Sequence, residues 1–236
     1  MNKLVVIAVA GLGVSAVCIG VGSAIGGHVG SFGGWEPFDG RPRCSRIPTA
    51  AATSRTLAWD AGDSVRLVVF SDARYAPGSD GMLHASGDPD VLAHLRVRNG
   101  TIDLDCRGWR DRDQIQLTLP GREFRKFAIA GRSDLMLEKM NQPSVKIDIA
   151  GTGTVRAEGK IDDVAIRIAG VGHADFGKVA SLTAKAELAG VGSADIAPTD
   201  TATIKIAGPS TVNLHSNPKH LDTEIAGPGH LNKMAD

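Results

Sequence analysis

Asp175 and Asp195 stand twenty residues apart in two closely similar strings, AGVGHADF and AGVGSADI. If that repeat places them on neighbouring strands, their carboxyls lie ~5 Å apart. Retaining glycosidases use such a spacing, and paired carboxylates can also hold a hard cation. Asn213 and Asn232 fall at the matching places of the next two copies, and His173 and His230 share another column. Asp also favours turns by bonding its own backbone, so a solvated turn residue is the simplest reading of both. No Gly-rich phosphate loop, zinc-ligand spacing or nucleophile elbow is visible. We therefore expect no catalytic residue and no cofactor, with Asp175 and Asp195 as the only cation candidates. Cys44 and Cys106 lie outside the apolar N-terminal run and are a disulfide candidate if the domain meets an oxidising compartment. Two separate thiols are the alternative.

The elements that would position these residues follow from an internal repeat. Ala-Gly recurs at 130, 150, 169, 189, 207 and 226, in steps of 20, 19, 20, 18 and 19 residues. A period of this size marks a solenoid. Three residues and one residue before the Ala are apolar in Ile147/Ile149, Ile166/Ile168 and Ile204/Ile206, with polar residues between. Period two means a strand with one buried face. A second alternating pair follows the glycines: Val155/Ala157, Ala174/Phe176, Ala194/Ile196 and Val212/Leu214. Each step thus holds two short strands around a glycine corner, where positive φ or close approach of coils requires glycine, plus a return loop. We expect an all-β, single-stranded parallel β-helix of about six coils over residues 121–236. Right-handed coiling is favoured because crossovers between parallel strands nearly always are.

Register is also readable. The polar place between the two apolar residues holds Asp148, Arg167, Glu187, Lys205 and Glu224, so the sign alternates from coil to coil. In-register stacking on an outer face would put each charge between two of opposite sign. Residues 49–120 read as antiparallel strands that cap the solenoid: Ser64 to Phe70, His94 to Val97, Thr101 to Leu104 and Gln114 to Leu119, with Asn99-Gly100 as a tight hairpin turn. An open sheet edge needs such a cap.

The hairpin LRVRNGTIDLDC, the strand QIQLTLPG and the serial IAG-x-G-x-A-D units, preceded by an apolar N-terminal segment, resemble the GIN-domain family (DUF2807, auto-transporter adhesin head domain). The resemblance covers roughly residues 55–233. AGVGHAD and AGVGSAD keep the family pattern, while AGRSD, AGPST and AGPGH depart from it. It implies an exported β-solenoid of bacterial envelopes and brings no catalytic residues.

Composition agrees with that class. The chain has 236 residues, with 26 Lys+Arg against 26 Asp+Glu, so it lacks the basic excess of a nucleic-acid binder. Aromatics make up only 4%, too few for base-stacking platforms or the girdles of a membrane barrel. Behind Lys3, 24 positions from Leu4 to Gly27 carry no charge, which suits a cleaved signal or a retained membrane anchor. Residues 28–48 are Gly/Pro-rich and read as a tether. The expected function is an exported, non-enzymatic envelope module, periplasmic or at the cell surface, that is structural, binding or adhesin-like. Its partner would be a glycan or protein of the envelope, with membrane contact through residues 4–27 and no nucleic acid. The alternative is a small polysaccharide-active enzyme using Asp175 and Asp195.

Overall fold

A computed structural model describes residues 42–44, 53–59, 62–78, 80–108 and 114–234. The expected membrane segment over residues 4–27, most of the expected tether over 28–48 and residues 109–113 lie outside the described residues. Among the described residues no helix is long and apolar enough to cross a membrane.

The protein is a parallel β-solenoid of about five turns. In the repeat region the strands are β8 (Lys126–Ile129), β9 (Arg132–Ile149), β10 (Thr152–Ile168), β11 (Val171–Leu188), β12 (Val191–Ile196), β13 (Pro198–Ile206), β14 (Ser210–Leu214), β15 (His220–Ile225) and β16 (His230–Lys233). All pair in parallel with their neighbours one coil away. Both apolar pairs of each repeat point inward: Ile147, Ile149, Ile166, Ile168, Val155, Ala174, Phe176 and Ile196 are all buried in one continuous core. The expected return loop is absent from three coils. β9, β10 and β11 each run 17 or 18 residues from one Ala-Gly corner to the next. They turn at a β-bulge, where Gly159 adopts φ +120°.

The corner glycines work by close approach, not by positive φ. Gly131, Gly151, Gly170, Gly190 and Gly208 all lack positive φ; among the six repeat corners only Gly227 has it. A Cβ on Gly170 would lie 2.0 Å from the carbonyl oxygen of Gly151, and one on Gly190 would lie 2.0 Å from that of Gly170. The corners therefore stack backbone on backbone.

The first part of the chain contributes β1 (Ser54–Ala58), β2 (Ser64–Leu67), β3 (Phe70–Tyr75), β4 (Met82–Ser86), α1 (Pro89–His94), β5 (Leu95–Arg98), β6 (Thr101–Leu104) and β7 (Ile115–Thr118). The antiparallel cap consists of β1–β4–β7 and the hairpin β5–β6. At the hairpin turn Asn99 (φ 48°) and Gly100 (φ 71°) are both left-handed, as the two-residue turn requires. Parallel stacking also reaches into this region. β2 pairs in parallel with β6 and β8, and β3 with β7 and β9. Residues 64–75 thus form a coil between residues 101–118 and the first repeat, although they come first in the chain. The run SVRLVVF is not one strand: it breaks at Val68-Val69, which takes the corner place beneath Gly131. His94 belongs to α1, which Asp88 caps by accepting from the Asp90 N–H.

At the other end, β15 and β16 are a free edge and most of their residues are exposed. There two apolar columns close with polar residues, Thr223 beside Ile204 and Lys233 beside Leu214, while Ile225 and Leu231 end the other two. A lysine on an edge strand opposes further strand addition.

Candidate functional site

A groove of about 750 Å³ lies beside the glycine corners. Three in-register columns build it. Its floor is Ser71, Ser133, Gly153, Gly172 and Gly192. One wall is Phe70, Arg132, Thr152, Val171 and Val191; the other is Asp134, Thr154, His173 and Ser193. The floor is low for a packing reason. A Cβ on Gly153 would meet the Ser133 carbonyl oxygen at 2.0 Å, and one on Gly192 the Gly172 oxygen at 1.8 Å. At the capped end serines replace glycine, and Ser133 Oγ donates to Val69 O at 2.8 Å. Val171 and Val191 adjoin each other on the rim and are about half exposed, at 53% and 50%.

Asp175 and Asp195 are in-register partners on β11 and β12. Asp195 lies at the centre of a polar cluster. Its Oδ1 is 2.8 Å from His215 Nε2 and accepts from Asn213 Nδ2 at 3.0 Å. Its Oδ2 is 3.8 Å from His173 Nε2. His173 Nδ1 is 2.7 Å from Ser193 Oγ, and Asn232 Nδ2 donates to Asn213 Oδ1 at 3.0 Å. Asp175 Oδ1 accepts from the Gly177 N–H at 3.2 Å. His173 and His230 share a column but stand three coils apart, with Ser193 and Thr211 between them. Sequence reasoning named His173 but missed His215, Ser193 and the groove that His173 lines. His215 had a legible signal: it follows Leu214, the second apolar residue of its repeat, where the side chain turns outward over the Asp column.

The charged column is in register from Asp148 through Arg167, Glu187 and Lys205 to Glu224. Its close contacts are pairs. Arg167 Nε donates to Glu187 Oε2 at 2.7 Å, and Lys205 Nζ to Glu224 Oε2 at 2.7 Å. Lys185 Nζ also lies 2.7 Å from Glu187 Oε1. Asp148 departs from an outer-face position. It is 1% exposed and lies 3.2 Å from Lys126 Nζ and 3.6 Å from Lys146 Nζ. Two cations offset the cost of burying its charge. At Glu187 burial pushes the carboxyl pKa up, but hydrogen bonds from Lys185 and Arg167 outweigh it and the net shift is downward. Glu187 thus contributes stability above the ordinary glutamate pKa of ~4.3, and that contribution is lost as pH falls through its lower folded value.

Glu187→Lys removes two ion pairs and places an ammonium among Arg167, Lys185 and Lys205. A loss of about 1–2 kcal/mol is expected at low salt, shrinking at high salt because exposed charges are screened over ~10 Å at 0.1 M. Adding Arg167→Glu and Lys205→Glu should recover part of it. Urea unfolding at two salt concentrations measures all three effects, and a loss that ignores salt would contradict the pairing.

Cys44 and Cys106 are joined by a disulfide across 62 residues, next to the bridge between Arg43 and Arg107. Among the described residues the one close ligand-like cluster is His94, Asp105 and Cys106, and that sulfur is already in the disulfide.

A capped parallel solenoid with a polar and apolar surface groove is a structural or binding module. The chain belongs to the family described as "Putative auto-transporter adhesin, head GIN domain" (DUF2807), whose model matches residues 82–218. The solved structure of a "putative adhesin" from Bacteroides fragilis is similar in fold, with a TM-score of 0.60 at 18% identity, covering 76% of this chain and 95% of that one. A "Putative lipid binding protein" from Parabacteroides distasonis follows at a TM-score of 0.43 and 14% identity, with the same coverage. A "putative adhesin" from Parabacteroides merdae has a TM-score of 0.42 and 12% identity, again with 76% and 95% covered. No curated protein matches the sequence.

Proposed function

We propose that the chain is exported and serves in the bacterial envelope as a non-enzymatic, adhesin-like module that binds an envelope glycan or protein along the glycine-floored groove. The groove itself carries this reading. It crosses five coils, mixes hydrogen-bonding residues with an exposed valine ledge, and lies on a rigid scaffold. The uncharged run from Leu4 to Gly27 supports export, as a cleaved signal or a retained anchor, and the family description fits an envelope setting. Against catalysis, Asp195 is held by His215 and Asn213, and Phe70 is the one described aromatic that lines the groove, while Tyr75, Phe124, Phe127 and Phe176 are all 1% exposed or less.

The test is co-sedimentation of the purified domain with bacterial envelope fractions, with soluble glycan release measured in parallel. Val171→Lys combined with Val191→Glu keeps an opposite-charge pair across the strands but removes the ledge. It should lower binding at least tenfold with little change in unfolding temperature. Unchanged binding would refute the groove. Glycan release that disappears in Asp175→Asn/Asp195→Asn would establish the enzyme instead.

A further inference from the structure

Granted the binding groove proposed above, we infer that its ligand is a linear, uncharged glycan that lies along the solenoid axis with one sugar residue per coil. Strands of successive coils lie ~4.8 Å apart. Each column of the groove therefore repeats the same kind of position at that step, and five coils extend it over roughly 19 Å. In an extended β-linked polysaccharide each pyranose advances the chain by about one such step. A peptide strand does not. It rises ~3.4 Å per residue, so side chains on one face recur at ~6.8 Å and do not coincide with the coils.

The cross-section of the groove also matches a sugar ring. On one side Thr152, Val171 and Val191 stand exposed on successive coils and offer methyl groups to the C–H face of a pyranose. Phe70 extends that side toward the capped end. On the other side Asp134, Thr154, His173 and Ser193 follow one another in register, one polar group per coil. Hydroxyl and imidazole groups both donate and accept, as sugar hydroxyls do, and a few such groups fix the orientation of a ligand. Gly153, Gly172 and Gly192 put no side chain on the floor between the two sides. Arg132 and Asp134 cancel in formal charge, so the lining has no cationic excess to select an acidic polymer.

The test is co-sedimentation with bacterial envelope fractions treated beforehand with periodate, which cleaves the vicinal diols of sugars, or with a protease. Periodate should lower binding at least tenfold, and protease should leave it unchanged. Binding should differ little between low and high salt, because an uncharged ligand gives the salt nothing to screen. Neutral oligosaccharides released from the same fractions and sorted by size should compete better with each added residue up to four or five, then level off. Loss of binding after protease but not after periodate would overturn the glycan and make the ligand a protein. A steep fall with salt would overturn an uncharged one, and competition that is already complete with disaccharides would overturn the register of one residue per coil. Each of these outcomes leaves the groove standing as long as Val171→Lys/Val191→Glu weakens binding. If that variant binds as the native protein does, the groove itself is refuted, and the glycan assignment with it.

Discussion

Gly170→Ala is expected to destabilise the domain by about 3 kcal/mol or more, at the upper end of the range for overpacking. The new Cβ would fall 2.0 Å from Gly151 O and within 3 Å of the Ala150 carbonyl, and backbone atoms cannot rotate away as a side chain would. Gly151 O is also the acceptor for the Val171 N–H at 3.0 Å. Relief of the clash would therefore stretch the hydrogen bond that joins two coils. Gly81→Ala is the control. Nothing lies within 4 Å of that site and its φ is ordinary, so the change should be near neutral, or stabilising by up to ~1 kcal/mol through the unfolded state. Urea midpoints compare the two directly. If Gly170→Ala costs no more than Gly81→Ala, close approach is not the reason for the Ala-Gly repeat.

Loss of the Cys44–Cys106 bond should have an effect of similar size. The bond closes a span of 62 residues, for which the chain-entropy treatment gives a stabilisation of up to ~4 kcal/mol. It also holds residues 42–44 against the cap, where Cys44 N–H donates to Arg107 O at 2.8 Å and Arg107 N–H to Pro42 O at 3.0 Å. Cys44→Ser/Cys106→Ser should lower the unfolding temperature by roughly 10 °C, taking 2–4 °C per kcal/mol for a chain of this size. Mass spectrometry of protein taken from its native compartment should show two hydrogens fewer than the dithiol. An equal unfolding temperature for the bonded protein and the double variant would refute a stabilising role.

Strands, corners and register in residues 121–236 were legible because they depend on local rules. Alternation at Ile147/Ile149 or Val155/Ala157 requires one buried face, and side chains on a strand can face only two ways. The near-constant step then stacks like on like, so the alternating charges at 148, 167, 187, 205 and 224 fall into one column. Other features depended on which parts of the chain meet. SVRLVVF carries no glycine to announce a corner, yet it bends at Val68-Val69 because the coil above it bends there. Its coil is inserted between residues 101–118 and the first repeat, a non-sequential order that no periodicity encodes. Asp148 looks like its column mates, but it is buried against Lys126 and Lys146 while Glu224 at the far end is 70% exposed. His173, Asp195 and His215 come from three successive coils and different places in the repeat. Spacing alone pointed to Asp175 and Asp195; only side chains reaching across stacked coils bring the two imidazoles to the same carboxylate.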